Sequence, residues 1–125
     1  MGIKFIDHIV IIVKNIPETK KFYNSFLGQP EHETDENLVY KVGDTRVFFV
    51  LPKGVYEKTD KDKSGLNHVA FGVRSLEELK SNEEMLNKAF IHHSGIRTDK
   101  HGNKDYIWLD DPSDIRVEIY SRPLE

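Results

Sequence analysis

The sequence predicts an α+β fold built from two copies of one unit, each a strand, a helix and a small meander. Three observations carry that prediction. The first is a repeat. Asp7-His8-Ile9-Val10-Ile11-Ile12-Val13-Lys14-Asn15-Ile16-Pro17-Glu18 returns sixty residues on as Asn67-His68-Val69-Ala70-Phe71-Gly72-Val73-Arg74-Ser75-Leu76-Glu77-Glu78. His8 then meets His68, Ile9 meets Val69, Ile11 meets Phe71 and Glu18 meets Glu78. The second is that both copies pass from a β-branched run to a helix-start signal at the same place. The third is that short apolar runs bounded by turn residues follow each helix, as in successive strands. An internal repeat of this kind governs the architecture before any local reading does.

In chain order, the first strand is expected from about Lys4 to Lys14. It is apolar on both faces in its middle, as a covered strand would be. Asn15-Ile16-Pro17-Glu18 signals a helix start: Asn15 can cap, Pro17 suits the first turn, and Glu18 stands at the capping-box position. Phe22, Tyr23, Phe26 and Leu27 form an apolar stripe, and Gly28 ends the helix. A short strand near Glu31 to Thr34 is followed by strands at Leu38 to Val42 and Arg46 to Leu51, with Gly43-Asp44 as their turn. Module one therefore covers about 1–52.

The joint, about 53–65, holds Lys58, Asp60, Lys61, Asp62 and Lys63 and little to bury, so it reads as a solvated loop. Module two, about 66–125, repeats the plan within a single domain of 1–125. A strand at Leu66 to Arg74 leads into Ser75-Leu76-Glu77-Glu78, a second capping box. The helix should run to about Phe90 and bury Leu76, Leu79, Leu86, Ala89 and Phe90. Gly95 and Gly102 punctuate the next segment. Strands at Asp105 to Leu109 and Ile115 to Tyr120 flank the turn Asp111-Pro112-Ser113-Asp114.

Composition narrows the function. With 125 residues the chain can bury a core without staples, and a net charge of −3 gives nucleic acid no basic face to bind. The absence of cysteine excludes disulfides, thiolate metal sites and a cysteine nucleophile. The apolar run Ile9 to Val13 is too short for a signal segment or a membrane span, so a cytoplasmic protein with no membrane partner is expected. Met1-Gly2 does not make a myristoylation signal, because Ile6 stands where Ser or Thr is needed. There is no phosphate-cradling glycine loop and no nucleophile elbow.

Three residues stand out: His8, His68 and Glu118. Strand alternation places His8 with Ile6, Val10 and Ile12, and His68 with the small residues Ala70 and Gly72. Glu118 shares a face with Arg116 and Tyr120, while Ile115, Val117 and Ile119 face a helix. Two imidazoles and a carboxylate are a common set for a divalent ion. A lone strand histidine is as a rule a hydrogen-bonded structural residue. Two at equivalent places could meet about a pseudo-twofold axis, so from spacing alone both readings stand. Arg46-Val47-Phe48 aligns with Arg116-Val117-Glu118, which makes Phe48 the counterpart of Glu118 and an apolar wall for a pocket. Tyr106, Trp108 and Tyr120 read as core or cleft wall. His92, His93 and His101 fall in loops, where one of them could line the cleft.

These segments, together with Asp111-Pro112-Ser113-Asp114-Ile115-Arg116-Val117-Glu118-Ile119, resemble the vicinal oxygen chelate superfamily. That superfamily includes glyoxalase I, extradiol dioxygenases, fosfomycin-resistance thiol transferases and bleomycin-resistance proteins. The resemblance covers nearly the whole chain. It implies two tandem βαβββ modules, each a curved mixed sheet backed by a helix, forming a cup. It implies one divalent metal ion (Fe, Mn, Ni or Zn) held by His8, His68 and Glu118. Glu118 would also be the catalytic residue, carrying a proton. Phe48, Trp108 and Tyr120 would line the pocket of a small substrate that chelates through adjacent oxygens. Phe48 departs from glyoxalase I, which has a fourth ligand there. The outer histidine and tyrosine of extradiol dioxygenases and the potassium loop of the thiol transferases are not found. The expectation is a metal-dependent enzyme of the glyoxalase (lactoylglutathione lyase) or dioxygenase-like kind, working as a homodimer. The alternatives are a non-catalytic sequestering protein of the bleomycin-resistance kind and a fosfomycin-type thiol transferase.

Overall fold

A computed structural model describes residues 1–124. The chain forms two compact units, Met1–Glu57 and Lys58 onward. The first contains β1 (His8–Ile12), α1 (Ile16–Leu27), β2 (His32–Glu33), β3 (Asn37–Val42) and β4 (Thr45–Val50). The second contains β5 (His68–Val73), α2 (Leu76–Lys88), β6 (Arg97–Asp99), β7 (Lys104–Asp110) and β8 (Arg116–Ser121). Each unit is thus a βαβββ module. The sheet orders are β1-β4-β3-β2 and β5-β8-β7-β6, with the opening strand parallel to the closing one and the other neighbours antiparallel. This is the α+β architecture expected from the repeat.

The helix starts follow the sequence signals. The Asn15 side chain accepts from the Glu18 N–H at 2.8 Å and donates to the Glu18 carboxylate at 2.9 Å. At α2 the Ser75 hydroxyl accepts from the Glu78 N–H at 3.1 Å, and the Glu78 carboxylate accepts from the Arg74 N–H at 2.9 Å. Both caps satisfy backbone donors that a helix start otherwise leaves bare.

Strand β1 is shorter than the apolar run that predicts it. Strand β4 begins at Thr45, straight after the Gly43-Asp44 turn, so residues 4–7 have no partner strand. The pairing tails off with the Arg46 N–H to the Asp7 carbonyl and the Thr45 hydroxyl to the Ile6 carbonyl. The strand is also covered on one face only. Ile11 and Val13 are buried, whereas Val10 and Ile12 are each 55% exposed.

Helix α2 ends at Lys88, short of the expected Phe90. Phe90 adopts a left-handed φ of 57° while the Ile91 N–H bonds back to the Leu86 carbonyl, which closes the helix. Phe90 therefore swings out and is 96% exposed, and Ala89 and Leu76 are exposed too. Of the expected stripe, Leu79 and Leu86 are buried. Strand β6 carries no apolar run, so the residue pattern places no strand there, although the two-module resemblance implies one. It forms because Arg97–Asp99 pair with Lys104–Tyr106 around a turn.

Each core lies between a helix and one sheet face. In the first unit Tyr23 meets Phe49 at 4.2 Å between ring centres, and Leu38, Tyr40 and Val47 are buried around them. The Tyr40 hydroxyl donates to Asn24 at 2.6 Å, and burial pushes this phenol far up from its usual range. In the second unit Leu79 and Leu86 cover Ile107, Leu109, Val117 and Ile119. Among the described residues no helix is long and apolar enough to cross a membrane.

Two substitutions test this packing. Phe49→Ala should cost about 3–5 kcal/mol in urea unfolding, because it empties a fully buried ring site. Phe90→Gly should raise stability by about 0.5–1 kcal/mol, because glycine takes the left-handed position without a Cβ clash.

Candidate functional site

The open face of the second sheet is set by register. His68 pairs with Arg116, Ala70 with Glu118 and Gly72 with Tyr120 across the parallel β5–β8 ladder. On the other side of β8, Glu118 pairs with Trp108 and Tyr120 with Tyr106. Side chains alternate along strands, so these residues share the face away from α2. A cavity of about 220 Å³ opens there, lined by His68, Ala70, Gly72, Glu118, Tyr120 and Arg122. Ala70 and Gly72 leave its floor low, and Glu118 is the one carboxylate among the described residues that line it.

The His68 Nε2 atom stands 3.5 Å from a Glu118 carboxylate oxygen, with the glutamate side chain 17% exposed. The neighbour at 67 decides what this contact means. Asn67 donates its amide to the Lys61 carbonyl at 2.8 Å, so its side-chain oxygen turns to His68 Nδ1, also at 2.8 Å. An amide oxygen only accepts, so Nδ1 carries a proton, and in the neutral ring Nε2 presents the lone pair. A lone pair and a carboxylate oxygen facing each other repel unless a proton or cation lies between them. Imidazole nitrogen and carboxylate oxygen suit a first-row divalent ion, so the two donors present fit such a metal.

The first unit repeats the device. His8 Nδ1 lies 2.8 Å from the Asp7 carboxylate, which likewise leaves Nε2 free. The His8 ring meets Phe48 edge-on at 5.7 Å between ring centres. The structure thus brings His68 and Glu118 together and places His8 with Phe48 in the other unit. Among the described residues no group of three or more His, Asp or Glu side chains is gathered as a metal site. Asp7 and Asn67 were not singled out as functional residues from the sequence. Their signal was present, a hydrogen-bonding residue before each histidine of the repeat.

Around the cavity the aromatic residues are held in place. The Tyr120 hydroxyl donates to Asp99 at 2.6 Å, and its ring stacks on Tyr106 at 5.6 Å. That bond to Asp99, with burial and the nearby negative charges, pushes the Tyr120 phenol up to about 12. Asp99 shifts the other way, lowered first by Tyr120 and then by the His101 backbone N–H. The Arg116 guanidinium lies over the Trp108 ring at 4.3 Å and is clamped by Asp110 at 2.7 and 3.3 Å, which raises its pKa. Of the loop histidines, His92 sits against Trp108, with ring centres 6.4 Å apart. His93 is structural: it accepts from the Gly95 N–H and bonds to Asn87.

The chain matches the model of the Glyoxalase/Bleomycin resistance protein/Dioxygenase superfamily over residues 7–107, and it belongs to that superfamily. It is 33% identical to the protein YwkD of Bacillus subtilis (strain 168), over 98% of this chain and all of that one. Among solved structures it resembles a glyoxalase family protein from Enterococcus faecalis. That match has a TM-score of 0.76 and 26% identity, and covers 97% of this chain and 100% of the other. A lactoylglutathione lyase from Agrobacterium tumefaciens shares the fold at a TM-score of 0.74 and 11% identity, over 97% of this chain and 96% of that one.

Tyr120 offers a test of the wall. Its value in the folded chain lies above the ordinary 10.0, so the bond to Asp99 contributes stability in full below about pH 10. That contribution is lost as pH rises through about 12. The Asp99 contribution is present above the ordinary carboxylate range and lost as pH falls through its lowered value. Tyr120→Phe should therefore remove a phenolate that appears above the ordinary tyrosine range in an absorbance titration, ahead of the still higher Tyr40, and flatten the loss of stability between about pH 10 and 12.

Proposed function

We propose that this chain is a divalent-metal-dependent enzyme of the glyoxalase or dioxygenase-like group, acting on a small substrate that offers two adjacent oxygens. The observation that carries the reading is the lone pair of His68 Nε2, fixed by Asn67 and aimed at Glu118. The third ligand would be His8, whose tautomer Asp7 fixes in the same way. Imidazole donors favour Fe, Mn, Ni or Zn over Ca. When bound, such an ion supplies Lewis acidity toward the substrate oxygens. The chain's own residues do the rest. Ala70 and Gly72 leave room for the substrate, Trp108, Tyr120 and Phe48 wall it, and Glu118 can accept and return a proton. We read the two units as halves of one domain, joined near 53–65, in a cytoplasmic protein.

One observation favours a second reading. Among the described residues no other carboxylate lines the cavity, so a base drawn from them would also serve as a ligand. A ligand-sequestering protein of the bleomycin-resistance kind needs no base.

Elemental analysis of the purified protein should find about one such ion per chain. Glu118→Gln should lower metal content and abolish turnover while the melting curve stays close to the parent's. Asn67→Leu should weaken the ion by about 10–100-fold, since a group that orients a ligating imidazole commonly has that effect. Unchanged metal content in Glu118→Gln protein would sink the assignment. Metal retained without turnover on any chelating substrate would favour the sequestering reading.

The working unit is proposed to be a homodimer, the commonest symmetric assembly. His8 lies in one unit and the other two ligands in the second, so each site can be completed within a chain or by a partner. Mixed in equal amounts, His8→Ala and Glu118→Ala proteins should regain about a quarter of the parent metal content after subunit exchange if sites are shared between chains, one intact site in each heterodimer. They should regain none if sites are built within one chain.

A further inference from the structure

The groove does not stop at Tyr120. A second cavity of about 270 Å³ is lined by Ala70, Gly72, Val73, Arg74 and Arg122, and it shares Ala70, Gly72 and Arg122 with the first. The two make one trough along β5. One end carries His68 and Glu118, and the other carries two guanidinium groups.

The backbone sets those arginines in place. The Arg122 N–H donates to the Val73 carbonyl at 2.7 Å, which keeps the chain extended past the end of β8. Residues 118, 120 and 122 therefore alternate onto one face. The Arg74 guanidinium donates to the Arg122 carbonyl at 3.2 Å, which holds it beside its neighbour. Four residues of extended chain separate Glu118 from Arg122, about 13 Å at strand rise.

Among the described residues neither charge is answered by a carboxylate. Among the described residues the Arg122 guanidinium takes part in no hydrogen bond or ion pair, and no carboxylate lines the far cavity. Glu78, four residues on from Arg74, is engaged by the Arg74 backbone N–H at the start of α2. Of the other arginines, Arg46 pairs with Glu31 at 3.1 Å and Arg116 with Asp110 at 2.7 Å, while the exposed Arg97 has no ion pair among the described residues and lines neither cavity. A guanidinium fork presents parallel donors that match carboxylate and phosphoryl oxygens.

We infer that the trough takes an extended oxyacid. Its carboxylate or phosphoryl group would sit on Arg122 and Arg74, and its adjacent oxygens would lie at His68 and Glu118. The chelating end rests on the function proposed above. The anion end rests on the arginines alone.

The test titrates inorganic phosphate and, separately, acetate into the full chain at low ionic strength, followed by amide chemical shifts. Saturable binding that shifts residues 70–74 and 120–122 is expected with at least one probe, and it should weaken with added salt. Whichever anion binds more tightly names the group. Arg122→Gln should weaken binding by about tenfold or more, the usual worth of a charge-assisted hydrogen bond. Arg122→Lys, which keeps the charge and loses the fork, should fall between. Arg122 is exposed, so these variants keep the fold, and their divalent metal content should match the parent's. No saturable binding, or equal affinity in the parent and in Arg122→Gln, overturns the inference even if the metal reading holds. Glu118→Gln separates the two claims. It should lose metal and still bind the anion, and a chain that binds the anion but never metal would refute the proposed function and leave the anion end standing.

Discussion

Everything in this fold follows from one pairing, the parallel ladder between the first and last strands of each unit. Parallel neighbours cannot be joined by a tight turn, so a long connection must leave the sheet and return. Here that connection is the helix and two further strands. The pairing puts the last strand inside the sheet and leaves the first at its edge. In the second unit this is what sets His68, near the start of β5, beside Glu118, in the middle of β8, although fifty residues separate them. A slip of one residue in that ladder would turn Glu118 toward α2 and bury an unpaired carboxylate in an apolar core. The core and the site therefore enforce the same register.

Much of this was legible in the chain itself. The repeat announced two equal units, and the Asn15 and Ser75 caps started both helices where the signals stood. Period-two alternation put Glu118 on the face opposite Val117 and Ile119. What was missed has physical reasons. The extent of β1 depends on where its partner begins, and that is decided by the Gly43-Asp44 turn rather than by the apolar run. The end of α2 depends on Phe90 taking a left-handed conformation that its residue type does not favour. Strand β6 has no apolar pattern, because it is an edge strand held by backbone pairing. The site shows the same division. Residue types and spacing pointed to His68 and Glu118, but the orientation of Asn67 rests on a carbonyl six residues earlier, which no motif encodes.

The two units show how one scaffold gives unequal sites. The residue pairs Asp7-His8 and Asn67-His68 treat their imidazoles alike, each fixing the proton on Nδ1. The closing strands then diverge: Phe48 lies in β4 where Glu118 lies in β8. The His8 ring rests edge-on against an aromatic ring, a contact that orients it and adds no donor. The His68 ring faces a carboxylate. The repeat places two equivalent histidines, and a single position in the closing strand decides which unit also offers a carboxylate beside its imidazole.

That asymmetry extends along the trough. Toward β7, the open face of the second unit is neutralised internally, with Asp110 on Arg116 and Asp99 on Tyr120. Each polar group there is occupied by a protein partner and serves to hold an aromatic wall. Along β5 the opposite holds. His68 Nε2 and Glu118 turn only toward each other, at 3.5 Å, and the Arg122 guanidinium has no partner among the described residues. Groups left unanswered by the protein interact most strongly with whatever enters from solvent, because no internal bond must first be broken. The two sides of one sheet thus divide the labour. The β7 side holds the aromatic wall of the cavity, and the β5 side carries the groups on which the proposed chemistry rests.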